Sequence, residues 1–102
     1  MGPEKILNEV KTLVLQELKD ADVRVYLFGS WARGEQRQTS DIDIAIEYDN
    51  NLTPTDIAKL RESLEESHIP YRVDVVDLTR AGYDLTIRVK EEGILWKDYA
   101  KG

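Results

Sequence analysis

Two carboxylates interrupt an apolar strand in the segment Ser40-Asp41-Ile42-Asp43-Ile44-Ala45-Ile46. Side chains alternate along a strand, so Asp41 and Asp43 point one way while Ile42 and Ile44 point the other. The isoleucine face needs a core to cover it. The carboxylate face needs compensation, because unpaired charges taken out of water are costly. A chain built on this segment must therefore form a layered fold with a charged site on one side of a sheet.

The flanking sequence supplies the layers. Ile6, Leu7, Val10, Leu13, Val14 and Leu18 recur at helical spacing over residues 4–20 and predict an amphipathic helix. In "DADVRVYLF" the period changes to alternation, with Val23, Val25 and Leu27 on one face of a strand that Gly29 ends. Residues 30–36 read as a short helix, 37–40 as polar loop, "DIDIAIEY" as the second strand and "DNNL" as a turn. Thr53-Pro54-Thr55-Asp56 carries the signals of a helix start: a capping hydroxyl, proline at the first position and an acid near the positive end of the dipole. That helix runs to near His68 with Ile57, Leu60 and Leu64 on one face, and Pro70 closes it. "YRVDVVDL" is a third strand, 80–92 a weaker helix stopped by Gly93, and "ILWKDY" a short strand or coil. About a dozen residues join the first two strands, too few for a long parallel crossover helix, so a mixed sheet is expected. The fold class is α+β, a mixed sheet of three to four strands flanked by helices. With 102 residues and no linker or repeat, one domain over 1–102 is expected.

Composition excludes several functions. There is no cysteine, hence no disulfide or thiolate metal site, which fits a cytoplasmic location. No apolar run approaches the roughly 18 residues of a membrane helix, so no membrane partner is expected. The N-terminal charges do not read as a signal peptide. A net charge of −6 without a lysine or arginine block argues against direct binding of duplex nucleic acid.

A third carboxylate, Asp74, interrupts the next apolar strand, "RVDVV". If the second and third strands are neighbours, Asp74 lies beside Asp41 and Asp43. Three such groups repel one another unless a hard cation joins them, and two-metal phosphoryl transfer uses such a cluster. Upstream, Gly29-Ser30 ends one strand and starts a helix, where backbone amides and a hydroxyl can approach phosphate oxygens. Arg33 and Arg37 stand ready to balance phosphate charge.

Gly-Ser, ten intervening residues, Asp-x-Asp and a later strand aspartate together resemble the DNA polymerase β nucleotidyltransferase superfamily. The string "GSWARGEQRQTSDIDIAI" is similar to its smallest members, the minimal nucleotidyltransferases (MNT) that act as antitoxins in HEPN/MNT toxin–antitoxin pairs. The resemblance covers nearly the whole chain. It implies that Gly29 and Ser30 hold nucleotide phosphates, with Arg33 and Ser40 as further nucleotide contacts. It implies that Asp41 and Asp43 bind two Mg²⁺ ions, and that Asp74 binds one of them and activates the acceptor hydroxyl. The implied activity is transfer of AMP from ATP to a hydroxyl, a tyrosine of a cognate HEPN ribonuclease toxin. Neutralisation by binding alone, or nucleotidyl transfer to a small molecule or RNA end, are the competing readings.

Plainer roles compete at several positions. Asp77 rivals Asp74, but it sits at the strand end beside a turn, where capping aspartates are common. Arg33 has Glu35 as a surface partner, and Ser40 is a natural turn residue. Trp31 is a base-stacking platform or a packing residue, and His68 has no metal partners near it in sequence.

Overall fold

The computed structural model describes residues 2–49 and 52–99. Helix α1 (Pro3–Glu17) opens on a proline at its first turn, and it buries Ile6, Val10 and Val14, the i, i+4, i+8 stripe its sequence predicts. It stops three residues before the expected end. The Lys97 ammonium then donates to the carbonyls of Leu18 and Ala21 at 2.8 and 2.6 Å, which ties the turn after the helix to the last strand.

Strands β1 (Val23–Phe28) and β2 (Ile42–Tyr48) pair antiparallel, with Val25 opposite Ile46 and Leu27 opposite Ile44. Between them lies only a single helical turn, α2 (Ser30–Arg33), ended by Gly34 in the left-handed region at φ +71°. Helix α3 (Pro54–Glu65) then crosses over to β3 (Val73–Asp77), which lies parallel to β2. Helix α4 (Tyr83–Glu92) returns the chain to β4 (Ile94–Lys97), antiparallel to β1. The sheet order is β3-β2-β1-β4, a mixed four-stranded sheet as expected.

Each sheet face has its own apolar layer. Val23, Val25, Leu27, Ile42, Ile44 and Ile46 pack with α1 and α3 in the main core. Tyr26, Ala45, Leu78 and Val89 form a smaller cluster on the other face, which α4 covers. The start of α3 is a complete capping box: the Asp56 amide donates to the Thr53 hydroxyl, and the Asp56 carboxylate accepts from the Thr53 amide at 2.9 Å. The Thr53 amide and hydroxyl both donate to the Asp56 carboxylate, which favours the ionised acid and holds that carboxyl below its ordinary value.

Several boundaries differ from the sequence reading. β2 begins at Ile42, so Asp41 stands just outside the strand. α3 ends at Glu65 rather than near His68, because the Ser67 hydroxyl donates to the Leu64 carbonyl and competes with the next helical bond. The expected helix over 80–92 starts only at Tyr83, after a turn in which the Arg80 amide bonds to the Asp77 carbonyl. In the expected turn "DNNL", Asn50 and Asn51 lie outside the described residues.

Candidate active site

The fully buried Ile42 and Ile44 lock the phase of β2 and leave Asp43 on the opposite face. The parallel register then sets Asp43 directly beside Asp74 of β3, and the antiparallel register sets it beside Phe28 of β1. Neighbouring strands are about 4.8 Å apart, so the two carboxylates are immediate neighbours. Asp41 precedes this pair by two residues. The Ile42 amide donates to the Arg72 carbonyl at 2.9 Å, which ties the start of β2 to the approach of β3.

Asp43 senses the other two acids. The Asp43 carboxyl is raised above its ordinary value of 3.8, first by burial, then by the charge of Asp74 and then by that of Asp41. Arg33 acts in the opposite direction. Yet the acids are not drawn into a cage. Among the described residues, no group of three or more His, Cys, Asp or Glu side chains is arranged to hold a metal ion. A guanidinium stands in at one of them: Arg72 Nε donates to Asp74 Oδ1 at 3.0 Å. The donor set is all carboxylate oxygen, with a repulsion recorded in the shift of Asp43. In chemistry this fits a hard divalent cation such as Mg²⁺.

Gly29 closes the site from the β1 side. It has φ +77°, a conformation L side chains rarely adopt, and a Cβ there would come within 3.0 Å of the Asp43 carboxylate. The turn thus brings the backbone of residues 29 and 30 against the central acid. The amides of Ala32 and Arg33 bond back to the Gly29 carbonyl, whereas first-turn amides such as that of Ser30 have no helical carbonyl to bond to. Arg33 pairs with Glu35 at 3.2 Å, the surface pairing its sequence allowed, while its charge still reaches Asp43. Ser40 sits in a turn, where its hydroxyl accepts from the Arg37 amide at 2.8 Å. Arg37 is exposed.

Asp77 is engaged elsewhere. The Tyr48 hydroxyl donates to it at 2.7 Å, the Thr79 amide donates at 2.9 Å, and its side chain is only 10% exposed against 39% for Asp74. The hydrogen bond to Asp77 raises the pKa of the Tyr48 phenol. Asp77 caps a turn, and Asp74 faces the site. Trp31 is buried rather than presented for stacking on a base, and His68 is exposed. Sequence reasoning missed Arg72, although its position two residues before Asp74 on the same strand face was a usable signal.

A cavity of about 730 Å³ adjoins the acids on the β3 side. Asp43, Asp74, Phe28, Tyr71, Arg72 and Leu85 are among its lining residues. Gly29, Ser30, Arg33, Ser40 and Asp41 are not. The site therefore has two sides that share Asp43: a glycine turn toward β1 and an open cavity toward β3.

A mixed sheet with paired acids on adjacent strands and a glycine turn against them defines a polymerase β-like core. The chain belongs to the polymerase beta nucleotidyltransferase family, whose sequence pattern matches residues 8–100. It is 41% identical over 61 residues to a Methanocaldococcus jannaschii protein named as a protein adenylyltransferase; the match covers 59% of this chain and 66% of that relative, just under two thirds of its length. The fold superposes on a crystal structure of a toxin–antitoxin with AMP-PNP at a TM-score of 0.71 and 31% identity, covering 86% of this chain and 73% of that one. It also superposes on the structure of a tri-AMPylated Shewanella oneidensis HEPN toxin in complex with its MNT antitoxin. There the TM-score is 0.65 and the identity 26%, covering 89% of this chain and 71% of that one.

Proposed function

We propose that this chain is an antitoxin that transfers AMP from ATP to a tyrosine hydroxyl of a partner HEPN toxin. The observation that carries the reading is the register pairing of Asp43 with Asp74 beside a glycine turn that admits no side chain. The similarity to an adenylyltransferase and to an antitoxin bound to an AMPylated toxin supports the choice of AMP and of a protein acceptor.

Asp41, Asp43 and Asp74 would hold two Mg²⁺ ions. When bound, Mg²⁺ neutralises triphosphate charge and makes a hydroxyl a better nucleophile. The protein's own groups divide the remaining work. Backbone amides and the hydroxyl at Gly29-Ser30 receive phosphate oxygens, and Arg33 adds positive charge on that side. The acceptor enters from the cavity beside β3. Its hydroxyl oxygen forms the bond to the α-phosphorus, the bond to pyrophosphate breaks, and Asp74 takes the proton. A tyrosine suits this step because its hydroxyl, with a reference pKa of about 10, ionises more readily than an aliphatic alcohol. Docking of a folded partner would position the acceptor hydroxyl.

The test is intact-mass spectrometry of a HEPN-domain partner after co-expression with this chain. An added AMP mass that disappears with Asp43→Asn supports the reading. No mass shift, with full neutralisation of the toxin by Asp43→Asn, would leave binding as the mechanism.

A further inference from the structure

Trp31 follows Ser30 directly, is 4% exposed, and has no part in the chemistry described above. Its indole N–H donates to the carbonyl of Ser40 at 3.2 Å. Its ring meets that of Tyr71 edge to face, with centroids 4.9 Å apart and planes at 75°. Ser40 is bonded to Asp41. Tyr71 precedes Arg72, whose carbonyl binds the Ile42 amide and whose guanidinium binds Asp74. One side chain thus touches the three segments that carry the candidate site: the glycine turn, the approach to β2 and the approach to β3.

We propose that Trp31 is a positioning residue that holds Asp41 in place relative to the Gly29-Ser30 turn and to Asp74. The proposal rests on the nucleotidyltransferase reading above. Asp43 and Asp74 are fixed by strand pairing, but Asp41 lies one residue outside β2 and has no place in the strand register. The two bonds between Ser40 and Arg37, the Ser40 amide to the Arg37 carbonyl and the Arg37 amide to the Ser40 hydroxyl, close the turn only on itself. The Trp31 bond ties that turn to the core. Packing alone would not require an indole, because a phenyl ring fills much of the same space. The N–H aimed at a backbone carbonyl is the distinguishing feature.

Trp31→Phe keeps an aromatic ring against Tyr71 and removes the hydrogen bond. Single-turnover AMP transfer is expected to fall roughly 10- to 100-fold, the scale of a misplacement of about 1 Å at a reacting centre. The Mg²⁺ concentration for half-maximal transfer should rise several-fold. Calorimetric affinity for Mg²⁺ with a non-hydrolysable ATP analogue should weaken in parallel, while Trp96→Phe, on β4, leaves all three values unchanged. A Trp31→Phe protein that melts lower but keeps wild-type Mg²⁺ dependence and analogue affinity would overturn the proposal and leave Trp31 as packing. If Trp31→Phe does not fold, Tyr71→Leu tests the other contact: weakened Mg²⁺–analogue affinity supports the proposal, and wild-type affinity overturns it. Calorimetry needs no acceptor, so it decides the role of Trp31 even if the wild-type protein transfers nothing, a result that would count against the proposed activity alone.

Discussion

Gly29 and Asp43 exclude any side chain at position 29: the turn has a positive φ, and a Cβ would collide with the Asp43 carboxylate. Two separate physical costs therefore meet at one residue. One is backbone strain, and the other is displacement of the acid at the centre of the site.

Gly29→Ala should consequently lose both stability and activity. Strain in the left-handed or neighbouring sparsely populated regions costs about 1–3 kcal/mol. The displaced Asp43 adds a loss of nucleotide binding in Mg²⁺. Ser30→Ala should fold normally and weaken ATP binding by about 0.5–1.5 kcal/mol, or up to about 3 if the hydroxyl meets a charged oxygen. Thermal melts and ATP titrations on the two variants check the contrast. Unchanged affinity in both would put the phosphates elsewhere.

Asp43→Asn should abolish transfer while leaving the metal-free fold intact or more stable. Burial, Asp74 and Asp41 raise the folded pKa of Asp43 above 3.8. The folded state then holds this proton more tightly than the unfolded state, so stability is lost as pH rises from 3.8 through the raised value. Above that window the wild-type protein carries the ionised group, and the amide removes that burden. Metal-free melts across pH should show the variant's advantage above that window and its decline toward the acid side of it. A variant less stable than wild type at every pH would contradict the shift.

The two pure periodicities were the most legible parts of the chain. Ile6, Val10 and Val14 revealed α1, and alternation of acid with isoleucine set the phase of β2, because burial acts directly on sequence spacing. The Asp43–Asp74 pairing was conditional on β2 and β3 being neighbours, which no local signal states; the register makes them so. Alternation with isoleucine assigns Asp41 to the strand, although strand pairing begins only at Ile42. The bond from Trp31 to the Ser40 carbonyl was illegible for another reason. A backbone acceptor carries no residue identity, so nothing in the sequence marks it.

Asp74→Asn and Asp77→Asn should fail in different ways. Asp74 faces the cavity, so its amide variant should bind nucleotide but lose most of its single-turnover rate. Asp77 holds the Tyr48 hydroxyl and the Thr79 amide, so its variant should keep its chemistry. It should lose about 1–3 kcal/mol of stability, the scale of hydrogen bonds to a charged group. Denaturant melts together with single-turnover rates separate the two. An inactive Asp77 variant beside an active Asp74 variant would exchange their roles.

Arg72→Ala probes whether the guanidinium on Asp74 competes with a cation there. Arg72 is 76% exposed, and an exposed ion pair contributes only about 0–1 kcal/mol, so the melt should hardly move. Its effect should instead fall on metal dependence. With the Arg72–Asp74 bond gone, the Asp74 carboxylate has one fewer positive partner, and the Mg²⁺ concentration for half-maximal transfer should fall a few-fold. Loss of Arg72 also removes a positive charge from the cavity wall, which would weaken capture of an acidic acceptor there but not of ATP if the proposed Gly29-Ser30 turn holds the triphosphate. Mg²⁺ titrations of transfer, with ATP affinity measured separately, distinguish these effects. A higher Mg²⁺ requirement together with weaker ATP binding would show that Arg72 serves the nucleotide, and would place the triphosphate on the β3 side of the acids.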